Sequence, residues 1–406
     1  MMKDVVRTTM DAWHRGGAMH AHGFRGCVSG SQPVRVRFAG GWSDTPPYTL
    51  DHGGAVLNAA VQLDGQRPLF VSIDISDRGS DEDEWSAPVI VGAADATTEW
   101  RSEWSTTEDL FGERGSDDFA IHRAVLLFFF GLACSAAPDE PTPLAGLVDA
   151  IFGPHTCLTL RTSSLVPQGS GLGASSILIL AALRGLDVAV GVTDRPPADE
   201  INAVLAIEQL DPLASFGGWQ DAAAAATCPG LKLVQGSPGI PPKYSFTSVP
   251  MSSAHRFHLE DRLLVVFSGV RRVASVRLGS IMDRYRGGDE EATALLGELA
   301  QLAHSQLDIV RDYAAQPIDG TEEALAALGK TMMRTQEIDD ALDESSTGRE
   351  LFDALCEHAH GVNFLGSGAG GCLLVLLRAE HDVHTMLQTR FADARAMHVT
   401  FDFGEE

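Results

Sequence analysis

The sequence predicts an α+β fold of two lobes, and three observations carry that expectation. Strand-like and helix-like stretches follow one another without the regular alternation that a doubly wound sheet requires. The chain has 406 residues, 44% hydrophobic and 21% charged, enough for two or three lobes with cores of their own. A glycine-rich loop, "LVPQGSGLGASS" at 165–176, runs directly into an apolar helix. The seam between lobes is expected in "QGSPGIPPKYS" at 235–245, where proline and glycine cluster. That places a helical lead-in at 1–32, a first domain at 33–240 and a second at 241–406.

In chain order, the residues before 32 read as a short helix and a glycine-containing lead-in. "VRVRFAG" from Val34 alternates as a strand, and "GGAVLNAAVQL" and "PLFVSIDIS" follow as strands. "DRGSDEDEW" at 77–85 reads as a solvated acidic loop. "HRAVLLFFFGLA" is a buried helix, "TCLTLRTSS" a strand, and the loop helix precedes a further helical pattern in "DEINAVLAIEQLD". The alanine run 222–226 reads as helix, "GLKLV" and "RLLVVFSG" as strands, 273–313 and 322–342 as long helices. Last, "NFLGSGAGGCLLVLL" is a glycine loop feeding a strand.

A formal charge of -25 argues against nucleic acid or an anionic membrane as partner, since both repel such a surface. The lysines are Lys3, Lys232, Lys243 and Lys330, none of them beside a glycine loop. The six cysteines form no C-x-x-C pair, which suits a reducing cytoplasmic setting and neither a zinc site nor a disulfide framework. The first residues have no apolar core of the secretory type. The longest apolar run, "AVLLFFFGLAC", is too short to span a bilayer.

The loop at 165–176 brings bare backbone N–H groups to a positive helix end, a place suited to phosphate. "GSGLGA" fits the dinucleotide pattern G-x-G-x-x-A, with Asp194 about 20 residues on, but the proline-bearing "SSLVPQ" separates it from the strand end. The Walker pattern fails because no lysine follows the glycines. "GSGAGG" at 366–371 precedes a strand. "RVRFAGGWSDTPPY" sets Arg35 and Asp44 about a Gly-Gly-Trp turn, with a plain β-turn as the bland reading. "FGGWQDAAAA" sets Asp221 at a helix start, where alone it would be an N-cap acid.

Taken together and in this order, "PVRVRFAGGWSDTPP", "PQGSGLGASS" and "NFLGSGAGGC" resemble the three motifs of the GHMP kinases, over about 33–377. The Gly-Gly-Trp-Ser-Asp-Thr-Pro-Pro form and the later "GGWQD" are similar to the L-fucokinases, and "FSGVRRVA" to that group and to the heptose 7-phosphate kinases. The resemblance implies the two-lobed α+β GHMP kinase fold, with ATP and sugar between the lobes. It implies that Pro167, Gly169, Ser170, Gly171, Leu172, Gly173, Ala174 and Ser175 hold the ATP phosphates. It implies Mg²⁺ on Ser175 and Glu208, consistent with an ion that takes one or two carboxylates beside phosphate oxygens. Asp44, Gly41, Trp42, Gly218, Gly368, Ala369 and Gly370 would line the sugar, Asp221 would be the base toward the substrate hydroxyl, and Arg35 would face the transferred group.

Departures stand out: Ala222 follows Asp221 where those kinases commonly have Gln, alanines replace an expected glycine pair nearby, and Arg37 occupies a position commonly acidic. The implied reaction is ATP plus L-fucose giving L-fucose 1-phosphate, with heptose 7-phosphate 1-kinase or another aldose 1-kinase as the alternative. A non-catalytic sugar-sensing pseudokinase is disfavoured because Arg35, Ser175, Glu208 and Asp221 all survive. No pyrophosphorylase half is read in these residues, so a separate nucleotidyltransferase is the expected consumer of the product.

Overall fold

The computed structural model describes residues 2–16, 24–79, 87–95, 97–111, 118–135, 140–210, 213, 215–227, 230–270, 275–343, 348–366, 370–378 and 383–403. In chain order the strands are β1 (Gly26–Gln32), β2 (Val34–Ala39), β3 (Gly54–Leu63), β4 (Leu69–Asp77), β5 (Val89–Ala94), β6 (Glu99–Trp104), β7 (Thr156–Ser164), β8 (Leu231–Gly236), β9 (Tyr244–Ser248), β10 (Leu263–Phe267), β11 (Ala359–Phe364), β12 (Cys372–Leu377) and β13 (Arg395–Phe401). The helices are α1 (Met2–Gly16), α2 (Tyr48–His52), α3 (Thr107–Phe111), α4 (Ala120–Phe129), α5 (Leu144–Phe152), α6 (Ala174–Ala189), α7 (Pro197–Ile207), α8 (Gln220–Ala226), α9 (Ser253–Arg262), α10 (Ser275–Arg286), α11 (Glu290–Ala315), α12 (Glu322–Leu342), α13 (Arg349–Cys356) and α14 (Val383–Arg390). Helices and mixed sheets make the α+β fold the sequence predicts. None of the helices among the described residues is long and apolar enough to cross a membrane.

Two compact units interleave along the chain. The first comprises 1–32, 68–166 and 174–215, the second 33–67, 167–173 and 216–406. A linear cut at 240/241 does not anticipate this interleaving, because β1 is tied by a hydrogen-bond ladder to β4, some forty residues on, and so belongs to the first unit rather than to a lead-in.

The first unit is built on a five-stranded sheet in the order β1-β4-β7-β5-β6, antiparallel except for the parallel β5–β7 pair. Helix α6 packs on β4 and β1. Its "ILILAAL" core carries no charge and is buried on nearly every side, as a central helix must be. Helix α1 packs on α7, with Arg195 stacked 3.6 Å over the Trp13 ring and paired with Asp187.

In the second unit an eight-stranded sheet runs β11-β12-β10-β13-β3-β8-β9, with β2 also pairing β3. Strand β3, "GAVLNAAVQL", is buried along almost its whole length, since it has neighbours on both edges and α11 across a face. Leu264, Val266, Val362, Leu373 and Val375 of β10, β11 and β12 form one core cluster with α13 and α14. Trp42 and Tyr48 form another with α10, α11 and α12.

The single helix expected over 273–313 is two. Gly287 and Gly288 end α10, Gly288 at φ 80°, and Asp289 caps α11 by accepting from the Ala292 amide. Positions 273–274 lie outside the described residues.

Candidate active site

Arg35, the 167–173 loop and Asp221 all belong to the second unit. Arg35, on β2, has its side chain 3% exposed. Its Nε donates to Asp221 Oδ1 at 2.5 Å, its Nη1 to the Gly171 carbonyl at 2.8 Å, and its backbone amide to the Leu172 carbonyl at 3.0 Å. Asp221 sits in the first turn of α8, yet it is not the cap: Trp219 holds that position and makes no side-chain cap bond. The Asp221 carboxylate turns to the guanidinium instead and stays 20% exposed. Gly173, at φ 76°, lies against this pair. A Cβ there would come 3.0 Å from Asp221 Cγ and 3.1 Å from Arg35 Cγ in a backbone region that side chains rarely adopt.

The third motif closes on the same loop. The Cys372 amide donates to the Ser170 carbonyl at 2.8 Å, so the carbonyls of Ser170, Gly171 and Leu172 are all occupied by protein donors. Among the described residues, no hydrogen bond uses the amides of Gly169, Gly171, Leu172 or Gly173. Carbonyls consumed on one side and amides unspent on the other make a cradle for an anion. Pro167 starts the turn by accepting from the Ser170 amide at 3.1 Å. Gly370 abuts Val270, whereas Gly368, Ala369 and the 271–274 part of "FSGVRRVA" lie outside the described residues.

Asp44 is fully enclosed, at 0% exposure. Its Oδ2 accepts from the Gln220 backbone amide at 3.0 Å and its Oδ1 from the Gln220 side-chain amide at 3.1 Å. Gly218 lies directly on the carboxylate. Ser43 holds the preceding turn through Gly40 and Ala55, and Asn58 holds the Gln220 carbonyl. A carboxylate has about four lone-pair sites; the two Gln220 amides and the backbone amide of Asp44 itself take most of them.

Burial lifts the Asp44 carboxyl from 3.8 to about 6, against the opposing Gln220 amide and Arg35 charge and with help from the Asp221 charge. The unfolded chain therefore releases this proton first, and the parent protein loses stability as pH rises from about 4 to about 6. The shift corresponds to on the order of 3 kcal/mol. Asp44→Asn, which cannot ionise, is expected to gain stability relative to the parent across that window and to hold the gain above it. Melting curves of both proteins at acid and neutral pH check this; a difference that does not move with pH would contradict it.

Within the first unit, Glu208 caps the C-terminal end of α7 at 2% exposure, and its Oε1 accepts from Ser176 Oγ at 2.5 Å. The hydroxyl joined to Glu208 is thus that of Ser176, one residue beyond Ser175, which is half-buried in the first turn of α6 after Ala174. No cluster of three or more His, Cys, Asp or Glu suited to a metal occurs among the described residues. One carboxylate and one hydroxyl fit Mg²⁺ only when phosphate oxygens and water complete the shell, as that ion prefers.

Arg35, Asp221 and the second-motif loop are brought together, and Gly41, Trp42 and Asp44 belong to one turn with Gly218 packed on the Asp44 carboxylate. Asp194, the acid of the dinucleotide pattern, is exposed in the turn after α6, and nine residues separate β7 from that helix. Sequence reasoning missed Gln220 and Ser176. Gln220 stood inside the quoted "GGWQD", and Ser176 is the second serine of "GASS". Helical phase, with Ser176 on the buried side of α6, was the signal that separates it from Ser175.

Residues 144–228 match the family described as GHMP kinases N terminal domain. The bifunctional fucokinase/GDP-fucose pyrophosphorylase of Arabidopsis thaliana is 29% identical over 354 residues, covering 85% of this chain and 29% of that protein. The L-fucokinase/L-fucose-1-P guanylyltransferase of Bacteroides fragilis is 28% identical over 364 residues, 86% of this chain and 34% of that protein. The chain spans about a third of the length of these relatives. Among solved structures, a D-glycero-D-manno-heptose 1-phosphate kinase from Bacteroides thetaiotaomicron aligns with TM-score 0.58 at 16% identity, covering 93% of this chain and 97% of that one. Lactococcus lactis galactokinase complexed with galactose aligns with TM-score 0.59 at 13% identity, covering 93% and 94%. At these identities the likeness is one of fold.

Proposed function

We propose that this chain, whose residues 144–228 match the GHMP kinases N terminal domain, is an ATP-dependent sugar 1-kinase whose substrate is L-fucose or a closely related aldose. The observation that carries the reading is the Arg35–Asp221 pair, bound to the Gly171 carbonyl and packed on Gly173 of a loop whose amides are unspent. The similarity to two proteins named as fucokinases supports the choice of sugar.

When bound, ATP supplies the phosphoryl group and Mg²⁺ spreads its charge. The loop amides at 169–173 would cradle the phosphates; Glu208 and the Ser175 or Ser176 hydroxyl would hold the metal. Asp44 is enclosed in this state, so for it to accept from a sugar hydroxyl the Gly218 segment packed on its carboxylate must move aside. Arg35 fixes one oxygen of Asp221, so the other is presented to the anomeric hydroxyl and takes its proton as the new O–P bond forms and the β–γ bridge breaks, releasing ADP. Phosphoryl transfer depends chiefly on positioning and charge stabilisation. The anomeric hydroxyl is more acidic than an ordinary alcohol, so a carboxylate is base enough.

An ADP-release assay across free L-fucose, L- and D-arabinose, D-galactose and heptose 7-phosphates tests this directly. Turnover is expected with L-fucose or a related free sugar and to require Mg²⁺. Turnover with the phosphorylated heptose alone would overturn the substrate, and sugar-independent or absent ADP release would overturn the reading.

A further inference from the structure

Arg37 is the residue the proposed chemistry does not use. It lies on β2 two residues beyond Arg35, 1% exposed, at a break in the β2–β3 register between Arg37 and Ala39. Its Nη2 donates to Asp339 Oδ2 on α12 at 2.6 Å and to the Phe364 carbonyl on β11 at 3.0 Å. Asn363 donates back to the Arg37 carbonyl at 3.2 Å, and Gln336 accepts from the Phe364 amide at 2.8 Å. A buried arginine is thereby fixed to two elements about three hundred residues away in sequence.

The other side of the guanidinium faces the Gly-Gly-Trp turn. A Cβ at Gly41 would come 2.2 Å from Arg37 Nη1 and 2.6 Å from its Cδ, so the turn rests directly on this side chain. Trp42 stands next, at φ 72°, with its ring in the cluster of α10, α11 and α12. Burial pushes the Asp339 carboxyl up; the Arg37 charge and hydrogen bond hold it back, as does the Trp42 indole at a geometry short of a full hydrogen bond. Asp44 is three residues from Gly41.

A buried ion pair is often no more stabilising than apolar side chains of the same volume, while its fork geometry fixes direction. We propose that Arg37 is a positioning residue for the sugar half of the site: paired with Asp339 and carrying Gly41, it sets the 40–44 turn and thereby the Asp44 carboxylate. The inference rests on the sugar-kinase reading for its functional half only.

The test uses Arg37→Met, Arg37→Lys and the double variant Arg37→Met with Asp339→Leu, which removes the charge that the single change would strand. In the double variant the KM for sugar is expected to rise roughly tenfold or more while the KM for ATP stays within about twofold. Arg37→Lys keeps the charge but not the fork, and is expected to recover only part of the loss. Amide exchange at Thr45, whose N–H bonds the Trp42 carbonyl at 3.1 Å, is expected to quicken in every variant. A folded double variant with unchanged sugar KM, or with both KM values raised alike, overturns the proposal. Unchanged exchange at Thr45 overturns it whether or not any sugar is turned over, so a failure of the kinase reading is told apart from a failure of this one.

Discussion

Asp221→Asn is expected to lower kcat by roughly 10² to 10⁴-fold, the usual worth of a positioned general base, while the protein stays folded. Asparagine keeps the shape and an acceptor for Arg35 Nε, and Arg35 retains its bond to Gly171. What is lost is the negative charge beside a 3% exposed guanidinium and the capacity to take a proton. Truncation to alanine would also strand the buried arginine, which typically costs about 3–5 kcal/mol, so the asparagine variant separates chemistry from stability. Turnover near that of the parent, with an unchanged melting curve, would reduce Asp221 to a structural partner of Arg35.

Gly371→Ala is expected to raise the KM for ATP by about tenfold or more and to destabilise the second unit. Gly371 has φ 73°, and a Cβ there would come 2.8 Å from the carbonyl oxygens of both Gly169 and Ser170. Neither neighbour is a flexible side chain that can swing away. The same residue is held on its other side, by Val270 through its amide and Ser268 through its carbonyl. The strained backbone alone costs about 1–2 kcal/mol, and relief of the contact must push the second-motif loop off the Cys372 amide. Titration with a fluorescent ATP analogue and a thermal melt measure the two consequences. A melt shifted down with nucleotide affinity intact would show that the third motif stabilises the unit without shaping the cradle.

Much of the fold was legible because its central elements are strongly patterned. Strand β3 is apolar except at Asn58 and Gln62, α6 follows a glycine loop, and β10 and β12 are unbroken apolar runs. The misses have the opposite character. Strand β1, "GCVSGSQ", and β6, "EWRSEW", are short, polar and half-exposed, and only pairing with β4 and β5 makes them strands. The interleaving of the two units has no local signature either, since it is written in ladders between distant segments.

The site was legible residue by residue but not in its pairings. Arg35 and Asp221 were each singled out, yet their ion pair joins positions 186 apart, and the Asp44–Gln220 contact joins positions 176 apart. Nothing in "RVRFAGGWSD" announces that Arg37 will find Asp339. Ser176 rather than Ser175 meets Glu208 because helical phase, not the motif, decides which side chain turns inward.

On the proposed reading, main-chain amides of the second motif, without a lysine, hold the phosphates beside the Arg35–Asp221 pair. A crystal structure with Mg²⁺ and a non-hydrolysable ATP analogue tests it most directly. The β- and γ-phosphate oxygens are expected within hydrogen-bond reach of the amides at 169–173, with the γ-phosphate facing Asp221. Phosphates bound away from that loop, with its amides left to water, would contradict it.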